Sequence, residues 1–441
     1  MSDKKNIKLH ILGGGPAGLA AGYFAKKRKI DLEIFEASNH TGGNCKTIKN
    51  GEYRFDTGAH RFHDKNDEVT SEIKSLVGED FLKVAVPSKI FKNRTLIDFP
   101  LNSLNLFKNL EFSTISNIIY ENIVNRFRNF DSPNNFKELA NIRYGKTLSN
   151  LFLLNYTKKL WGQDPTKLAT SISGNRLKNL DLSTFLKEIF FNSNEHLDGS
   201  FYYPKYGFGT IFDQMKEYIG SENVKLNAPV NRLSHDGKEI REIVYRKGKV
   251  SKVNKVINSL PINILINILD PLPPKEIIEI VDSINYRNLR LCIIYLDVPY
   301  FSKNASIYFP EKIFPFTRIY EPKNRSRMMA PIDKTCIVVE IPYSNNDETH
   351  LKSNNKLFQD ISSSLISSRL INKNNIIDHT FFTIEYAYPI LELETEDKLI
   401  PVFNYLSKFN NIHHIGRGAE FKYIHTHEII HQSSLLIDKI S

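Results

Sequence analysis

Ile11-Leu12-Gly13-Gly14-Gly15-Pro16-Ala17-Gly18 is the stretch that decides the fold of this chain of 441 residues. It closes the short apolar run 7–12 (IKLHIL) and matches the pattern G-x-G-x-x-G. Helical spacing with small residues follows over 16–29, and the run 31–36 (DLEIFE) reads as a second strand that ends at Glu36. A strand, a glycine turn, a helix and a second strand predict a βαβ unit.

Each glycine of the turn has its own physical reason. Gly13 allows the tight turn, Gly15 lets a pyrophosphate approach the backbone, and Gly18 lets the helix pack closely on the sheet. The free N–H groups and the positive dipole end of the helix attract phosphate. The carboxylate of Glu36 can accept hydrogen bonds from ribose hydroxyls. In this strand–helix–strand context the motif predicts that the chain binds a dinucleotide.

The composition is that of an ordinary globular protein, with 41% apolar and 24% charged residues. The formal charge of +10 is scattered along the chain, which favours a phosphate-bearing ligand or a solvated basic surface over nucleic acid. Cys45, Cys292 and Cys336 are too widely spaced for a disulfide framework or a zinc site. No run of about 18 apolar residues predicts a membrane span. We therefore expect a cytoplasmic protein, and the sequence does not indicate its oligomeric state.

The order of patterns predicts an α/β protein in which the cofactor domain is discontinuous. Helical spacing dominates from about 100 to 190, short strands return over 224–260, and β patterns continue from 286 to 345. We predict a Rossmann-like cofactor-binding domain from 1–95, 201–285 and 401–441. A helical insertion over 96–200 and a second, antiparallel sheet over 286–400 would form the substrate domain.

Three further segments resemble FAD motifs of the flavoprotein group that contains amine oxidases, protoporphyrinogen oxidases and UDP-galactopyranose mutases. They are the run from Glu36 through Gly42-Gly43 to Thr47, the run Phe55-Asp56-Thr57-Gly58-Ala59-His60, and Ile415-Gly416-Arg417. Asn44 and Ala59 depart from the usual residues of these motifs. The resemblance implies that FAD is the cofactor and that the Rossmann-like domain is an FAD-binding domain of the GR2 type. The residues expected to bind it are Gly13, Gly15, Pro16, Ala17, Gly18, Glu36, Ala37, Gly42, Gly43, Asn44, Gly58, Ala59, His60, Val230, Gly416 and Arg417.

The middle and the end of the chain resemble UDP-galactopyranose mutases and their bacterial relatives that carry His-Arg-Phe, here His60-Arg61-Phe62, and are found with surface-polysaccharide genes. The similar segments are Tyr156-Thr157-Lys158-Lys159-Leu160-Trp161, Ser173-Gly174-Asn175-Arg176, Ile307-Tyr308-Phe309-Pro310, Phe316-Thr317-Arg318, Tyr388-Pro389, and Gly416-Arg417 with Phe421-Lys422-Tyr423. Such mutases use reduced FAD, whose N5 attacks the anomeric carbon and displaces a nucleoside diphosphate before the sugar recloses with the other ring size.

The resemblance implies a role for each matching side chain, because arginine binds phosphate bidentately and tyrosine can bond phosphate and stack on a sugar. Arg318 and Arg417 would clamp the diphosphate, and Arg176 would reach the nucleotide end of a nucleotide-diphosphate sugar. His60 would lie beside the flavin and respond to its redox state. The other substrate contacts would be Tyr156, Trp161, Tyr308, Tyr388 and Tyr423.

Simpler interpretations stand beside these roles. Trp161 could belong to the apolar core, Arg176 could form a surface salt bridge, and His60 could cap its loop. His413, His414, His425 and His427 do not share one helix face, so we predict no metal site. For the whole chain the alternatives are a flavin oxidoreductase of the amine oxidase, protoporphyrinogen oxidase or desaturase type, or a flavoprotein that has lost catalysis and serves an assembly.

Overall fold

The structure is a computed structural model, which describes residues 8–99, 101, 108–173, 200–345 and 347–441. The strands within these ranges are β1 (Lys8–Leu12), β2 (Asp31–Phe35), β3 (Thr47–Asn50), β4 (Tyr53–Asp56), β5 (Phe81–Val84), β6 (Ser88–Lys92), β7 (Thr95–Phe99), β8 (Phe201–Pro204), β9 (Val224–Lys225), β10 (Val230–His235), β11 (Ile240–Tyr245), β12 (Lys249–Lys252), β13 (Lys255–Asn258), β14 (Leu269–Asp270), β15 (Tyr286–Leu296), β16 (Ser306–Tyr308), β17 (Arg318–Tyr320), β18 (Thr335–Tyr343), β19 (Ile376–Pro389) and β20 (Ile412–His414).

The helices within the same ranges are α1 (Pro16–Lys27), α2 (Asp67–Val77), α3 (Phe112–Phe127), α4 (Phe136–Leu148), α5 (Leu154–Trp161), α6 (Thr210–Ile219), α7 (Ile262–Asn267), α8 (Lys275–Ser283), α9 (Glu348–Leu351), α10 (Asn354–Ser367), α11 (Thr395–Leu406) and α12 (Thr426–Ile440). None of the helices in these described ranges is long and apolar enough to cross a membrane.

A five-stranded parallel sheet forms the centre of the predicted cofactor domain. Its strand order is β20-β13-β1-β2-β9, so it combines strands from the beginning, the middle and the end of the chain. Leu9, Ile11 and Leu12 of β1 are fully buried, because a central strand is covered on both faces and needs apolar residues at successive positions. This arrangement confirms the predicted α/β fold class.

Helix α1 connects β1 to β2 and packs against α6 and α12. Pro16 occupies its first turn, where the fixed φ of proline suits a helix start, and Lys26 and Lys27 lie in its last turn. The helix ends two residues before the predicted end, because Arg28 already has non-helical backbone angles and Lys29 has a φ of +56°. Its buried face of small residues lets it lie close to the sheet.

The second large sheet has seven strands in the order β19-β15-β18-β17-β16-β6-β7. All neighbouring pairs are antiparallel except β16 and β6, which run parallel. Strands β6 and β7 lie on both sides of the predicted boundary at residue 95, yet both belong to this sheet. The domain boundaries themselves stay a prediction. Helices α3, α4 and α5 lie between β7 and β8 in the chain, in the region predicted as a helical insertion.

Candidate functional site: the nucleotide turn and the aromatic–arginine cluster

The glycine turn after β1 leaves open space beside Gly15, whereas the space beside Gly18 is filled by the turn itself. Gly13 has a φ of +95°, which favours glycine. A Cβ on Gly18 would lie 1.9 Å from the carbonyl oxygen of Gly13, so any side chain would separate helix and turn. A Cβ on Gly15 would meet only the Cα of Gly43, at 3.8 Å. The space beside Gly15 at the start of α1 is therefore open to a phosphate group.

Glu36 ties the end of β2 to this turn. Its Oε2 accepts a hydrogen bond from the Gly14 amide at 2.7 Å, and its Oε1 accepts from the Ser38 amide and hydroxyl, both at 2.8 Å. Ala37, between them, is exposed. A carboxylate can accept about four hydrogen bonds, so Glu36 keeps acceptor capacity for a ribose hydroxyl.

Two distant glycine segments meet the start of α1. The Gly42 amide donates to the Gly14 carbonyl at 2.8 Å, and a Cβ on Gly43 would lie 3.0 Å from the Cα of Gly15. Gly416 has a φ of +97°, and its Cβ would lie 2.7 Å from that of Ala17. The three glycine segments predicted to bind FAD thus surround one helix end, and Pro16 is its first helical residue. Val230 begins β10, a strand of the neighbouring four-stranded sheet.

The loop that carries His60 is fixed on both sides. Nε2 of His60 lies 2.9 Å from the Asn44 carbonyl, and its ring stacks on Phe208 at 5.1 Å. Because a carbonyl only accepts, Nε2 carries the proton and Nδ1 does not. Burial lowers the pKa of His60 to about 3, with Arg325 among the positive charges that also lower it. The imidazole is therefore neutral at physiological pH.

The neighbouring residues of this loop explain two departures from the family motifs. Ala59 is not among the residues with positive φ, so a methyl group is accommodated where the motif usually has glycine, and its amide donates to Glu340 at 2.8 Å. A Cβ on Gly58 would lie 3.2 Å from Nε2 of His60, which disfavours a side chain there. Asn44 donates its side-chain amide to the carbonyl of Glu385 at 3.2 Å, bridging the loop to β19.

Arg318 holds a fixed position on the second sheet. Its Nε and Nη2 donate to the two carboxylate oxygens of Glu340 at 2.7 and 2.9 Å, and its guanidinium lies 5.8 Å from the ring centre of Tyr308. The side chains of Arg318 and Glu340 are 16% and 2% exposed. Among the described residues Nη1 of Arg318 has no protein acceptor, so this atom is left for a ligand. The rings of Tyr156 and Tyr308 are 5.7 Å apart.

Arg417 is held by main-chain carbonyls rather than by a carboxylate. Its Nη2 and Nε donate to Ile424 at 2.8 and 3.3 Å, and its Nη1 donates to Ala387 at 3.2 Å. The guanidinium lies 4.8 Å from the ring centre of Tyr423 and 5.7 Å from that of Tyr388. A guanidinium has five N–H groups, so one on each terminal nitrogen has no acceptor among the residues that the structure describes.

Trp161 of helix α5 packs against the two tyrosines beside Arg417. Its ring lies 5.6 Å from Tyr423 and 5.9 Å from Tyr388, and only 4% of the residue is exposed. Burial raises the pKa of Tyr156, and it raises that of Tyr388 to about 12, so both phenols keep their protons. Tyr388 connects the two groups, because the charges of both Arg318 and Arg417 act on its phenol. The structure therefore brings together seven of the predicted substrate residues, here called the aromatic–arginine cluster: Tyr156, Trp161, Tyr308, Arg318, Tyr388, Arg417 and Tyr423. Arg176 lies outside the described residues.

Two charged residues that the sequence analysis did not single out belong to the same region. Glu340 is the one carboxylate in the buried run TCIVVEIPY, and a charge inside an apolar strand was a signal that could have found it. Arg325 is 3% exposed, donates to the carbonyl of His60 at 3.0 Å, and lies 4.5 Å from the ring centre of Tyr320. Nothing local in the sequence marks Arg325, because its partners are distant along the chain.

Metal and thiol chemistry have little support among the described residues. Cys45, Cys292 and Cys336 are free and buried. In the part of the chain that the structure describes, no group of three or more histidine, cysteine or acidic residues could hold a metal ion.

Residues 16–361 match the family model of flavin containing amine oxidoreductases. The chain belongs to this family. Its cofactor is FAD, in agreement with the open space beside Gly15 and the glycines that surround it. The proteins to which the chain is similar include both an oxidase and a mutase, so membership of the family does not decide the reaction.

Two curated relatives represent these two chemistries. The chain is 23% identical over 232 residues to dTDP-fucopyranose mutase from Escherichia coli, a match that covers 52% of this chain and 58% of that protein. It is 25% identical over 183 residues to the mitochondrial protoporphyrinogen oxidase of Nicotiana tabacum, over 40% of this chain and 36% of that protein. The matches thus span less than two thirds of the relatives' own lengths.

Solved structures match over nearly the whole chain. A reduced UDP-galactopyranose mutase superposes with a TM-score of 0.86 at 20% identity, covering 98% of this chain and 93% of that one. A protoporphyrinogen oxidase-like protein from Exiguobacterium superposes with a TM-score of 0.78 at 16% identity, over 99% of each chain. At such identities the superpositions establish the fold.

Proposed function

We propose that this flavoprotein is a nucleotide-sugar mutase that interconverts the pyranose and furanose rings of a nucleotide-diphosphate sugar. The observation that carries the proposal is the convergence of Arg318 and Arg417 on one group of tyrosines, in which the charges of both arginines act on Tyr388. Among the described residues, each guanidinium keeps N–H donors that have no protein acceptor. A diphosphate needs such donors, because it carries charged oxygens that must lose water to enter a pocket. The His-Arg-Phe resemblance supports a role in surface polysaccharide biosynthesis.

The protein's own task in this reaction is to hold the diphosphate as it leaves. Nη1 of Arg318 and the remaining N–H groups of Arg417 would donate to phosphate oxygens, and they would bind most tightly when charge builds on the leaving group. The protonated phenols of Tyr156 and Tyr388 would add neutral donors. Trp161 would close the apolar side and exclude water. Reduced FAD, when bound, supplies the nucleophile that the protein's side chains lack.

His60 would act in this site as a neutral group. Since burial and nearby arginines lower its pKa to about 3, it carries no positive charge that could bind the diphosphate. Its unprotonated Nδ1 lies 4.0 Å from Sγ of Cys45, whose thiol can donate to it. Its ring would keep the orientation fixed by Asn44 and Phe208.

A flavin oxidoreductase is the alternative function, supported by the similarity to protoporphyrinogen oxidase. Such an enzyme needs a largely apolar cavity that holds an organic substrate beside the flavin. Two guanidinium groups and several phenols among the aromatic rings favour a charged substrate instead.

Nucleoside-diphosphate affinity tests the proposal. UDP and dTDP are titrated against FAD-loaded wild type, Arg318→Ala and Arg417→Ala, with flavin fluorescence as the signal. Each substitution removes charge-assisted hydrogen bonds of about 1.5–3 kcal/mol, so the Kd should rise by about one to two orders of magnitude. Arg232→Ala is the matched control, because that arginine is 54% exposed and pairs with Asp270 at 3.6 Å. Unchanged affinity in both site variants would make the arginines structural and remove the main support for a mutase.

A further inference from the structure

A lysine of the helical region is enclosed by a loop of the second sheet. Lys159 of α5 donates from Nζ to the carbonyls of Phe309, Glu311 and Phe316 at 2.6, 3.0 and 2.6 Å. Asn155, one turn earlier on the same helix, donates to the carbonyl of Pro310. Residues four apart lie on one helix face, so α5 fastens the loop with two adjacent side chains.

The loop needs these donors because its other side is apolar. Phe309, Phe314 and Phe316 are at most 1% exposed, and their ring centres lie 4.8–5.5 Å apart. Buried carbonyls without a partner cost free energy, and the three acceptors match the three N–H groups of an ammonium. Burial lowers the pKa of Lys159 to about 7, while the Glu311 carboxylate raises it. The carbonyls themselves favour the protonated amine.

The loop joins two residues of the aromatic–arginine cluster. Tyr308 ends β16, Arg318 begins β17, and the two are cross-strand partners. Helix α5 contributes Tyr156 and Trp161 to the same cluster. The ammonium of Lys159 therefore ties the helix to the loop that joins Tyr308 to Arg318. Arg287 of β15 forms a second tie to the sheet, by donating to the carbonyls of Lys159 and Leu160 at 3.2 and 3.1 Å.

We propose that Lys159 is a positioning residue, which sets the separation between Tyr156 and the Tyr308–Arg318 pair and thereby the affinity for a nucleoside diphosphate. It acts through the loop carbonyls and not by touching the ligand. That consequence for binding rests on the proposed mutase function, whereas the fastening of helix to sheet does not.

The chain contains a single tryptophan, Trp161, which lies two residues from Lys159 and reports on α5 without any ligand. The experiment compares acrylamide quenching of Trp161 fluorescence and UDP affinity in FAD-loaded wild type, Lys159→Met and Lys158→Met. Lys158 is the matched control, because its side chain is 56% exposed and pairs only loosely with Asp164, at 3.8 Å. Asn155→Ala serves as a second test variant, since it removes another tie between α5 and the loop and takes the donor from one carbonyl, that of Pro310, rather than from three.

In Lys159→Met we expect stronger quenching of Trp161 and a UDP Kd about tenfold higher, at unchanged FAD content. The reason is that a shifted Tyr308–Arg318 pair forms weaker hydrogen bonds to the diphosphate, and tenfold in Kd corresponds to about 1.4 kcal/mol. Asn155→Ala should change both readouts in the same direction by less, and Lys158→Met should change neither. If Lys159→Met fails to fold, Asn155→Ala decides. Wild-type quenching and affinity in the test variants would overturn the proposal. If wild type does not bind UDP, the proposed function fails, and the quenching alone still decides whether Lys159 fastens the helix.

Discussion

The pair formed by Arg318 and Glu340 yields the sharpest energetic prediction. Glu340→Gln keeps an acceptor for the Ala59 amide but removes the negative charge that faces a guanidinium only 16% exposed. Removing one partner of a buried ion pair costs about 3–5 kcal/mol, because the other charge stays behind. In the double variant Arg318→Met/Glu340→Leu no charge is stranded, and the main loss is the unpaired Ala59 amide, about 1–3 kcal/mol.

These free energies convert into melting temperatures through the size of the chain. At about 2.1 cal/mol/K per residue, 441 residues give an unfolding entropy of about 0.9 kcal/mol/K. Glu340→Gln should therefore lower the Tm by about 3–5 °C, and the double variant by about 1–3 °C. Scanning calorimetry of the FAD-loaded proteins measures both. A double variant that melts lower than Glu340→Gln would refute the reasoning, since it would mean that packing and not charge holds Arg318.

Three other predictions concern the cofactor turn, the second arginine and pH. Gly15→Val should fold and lose FAD, whereas Gly18→Ala should be less stable, because its Cβ would lie 1.9 Å from the Gly13 carbonyl oxygen. The visible spectrum gives the FAD content and thermal melts give the stability; full FAD in Gly15→Val would contradict a phosphate site beside Gly15. Arg417→Lys should recover only part of the UDP affinity lost in Arg417→Ala, because an ammonium lacks the planar fork; full recovery in the fluorescence titration would show that only charge matters. The unfolding free energy should fall as pH drops from 6.5 towards 3, because the lowered pKa of His60 makes the unfolded chain take up the proton first. In denaturant titrations at several pH values, the slope of unfolding free energy against pH should be smaller by up to about 1.4 kcal/mol per pH unit in His60→Gln, and an unchanged slope would contradict the lowered pKa.

The cofactor turn could be predicted from the sequence because its determinants are local. The close approach of Gly18 to Gly13 and the open space beside Gly15 arise within six consecutive residues. The α/β class followed in the same way from short runs of apolar residues. The parallel pairing of β16 with β6 did not, since it joins strands more than two hundred residues apart.

The partners of the site residues could not be predicted from the sequence either, because they are distant along the chain. Arg318 meets Glu340 only because β17 and β18 pair in that register. The enclosure of Lys159 depends on how a helix of the predicted insertion docks on a loop of the second sheet. Family resemblance named Arg318 and Arg417 as ligand contacts, but it could not indicate how many of their donors the protein itself occupies.

Turnover of nucleotide sugars by the reduced and the oxidised protein tests the central proposal most directly. Dithionite-reduced, FAD-loaded protein is incubated with UDP-, GDP- and dTDP-sugars, and the products are separated by chromatography according to ring size. We predict ring-size isomers from at least one sugar with the reduced protein, none with the oxidised protein, and no net consumption of reductant. Turnover that starts from oxidised FAD and forms peroxide or reduced acceptor in proportion to an organic substrate would contradict the mutase and favour the oxidoreductase.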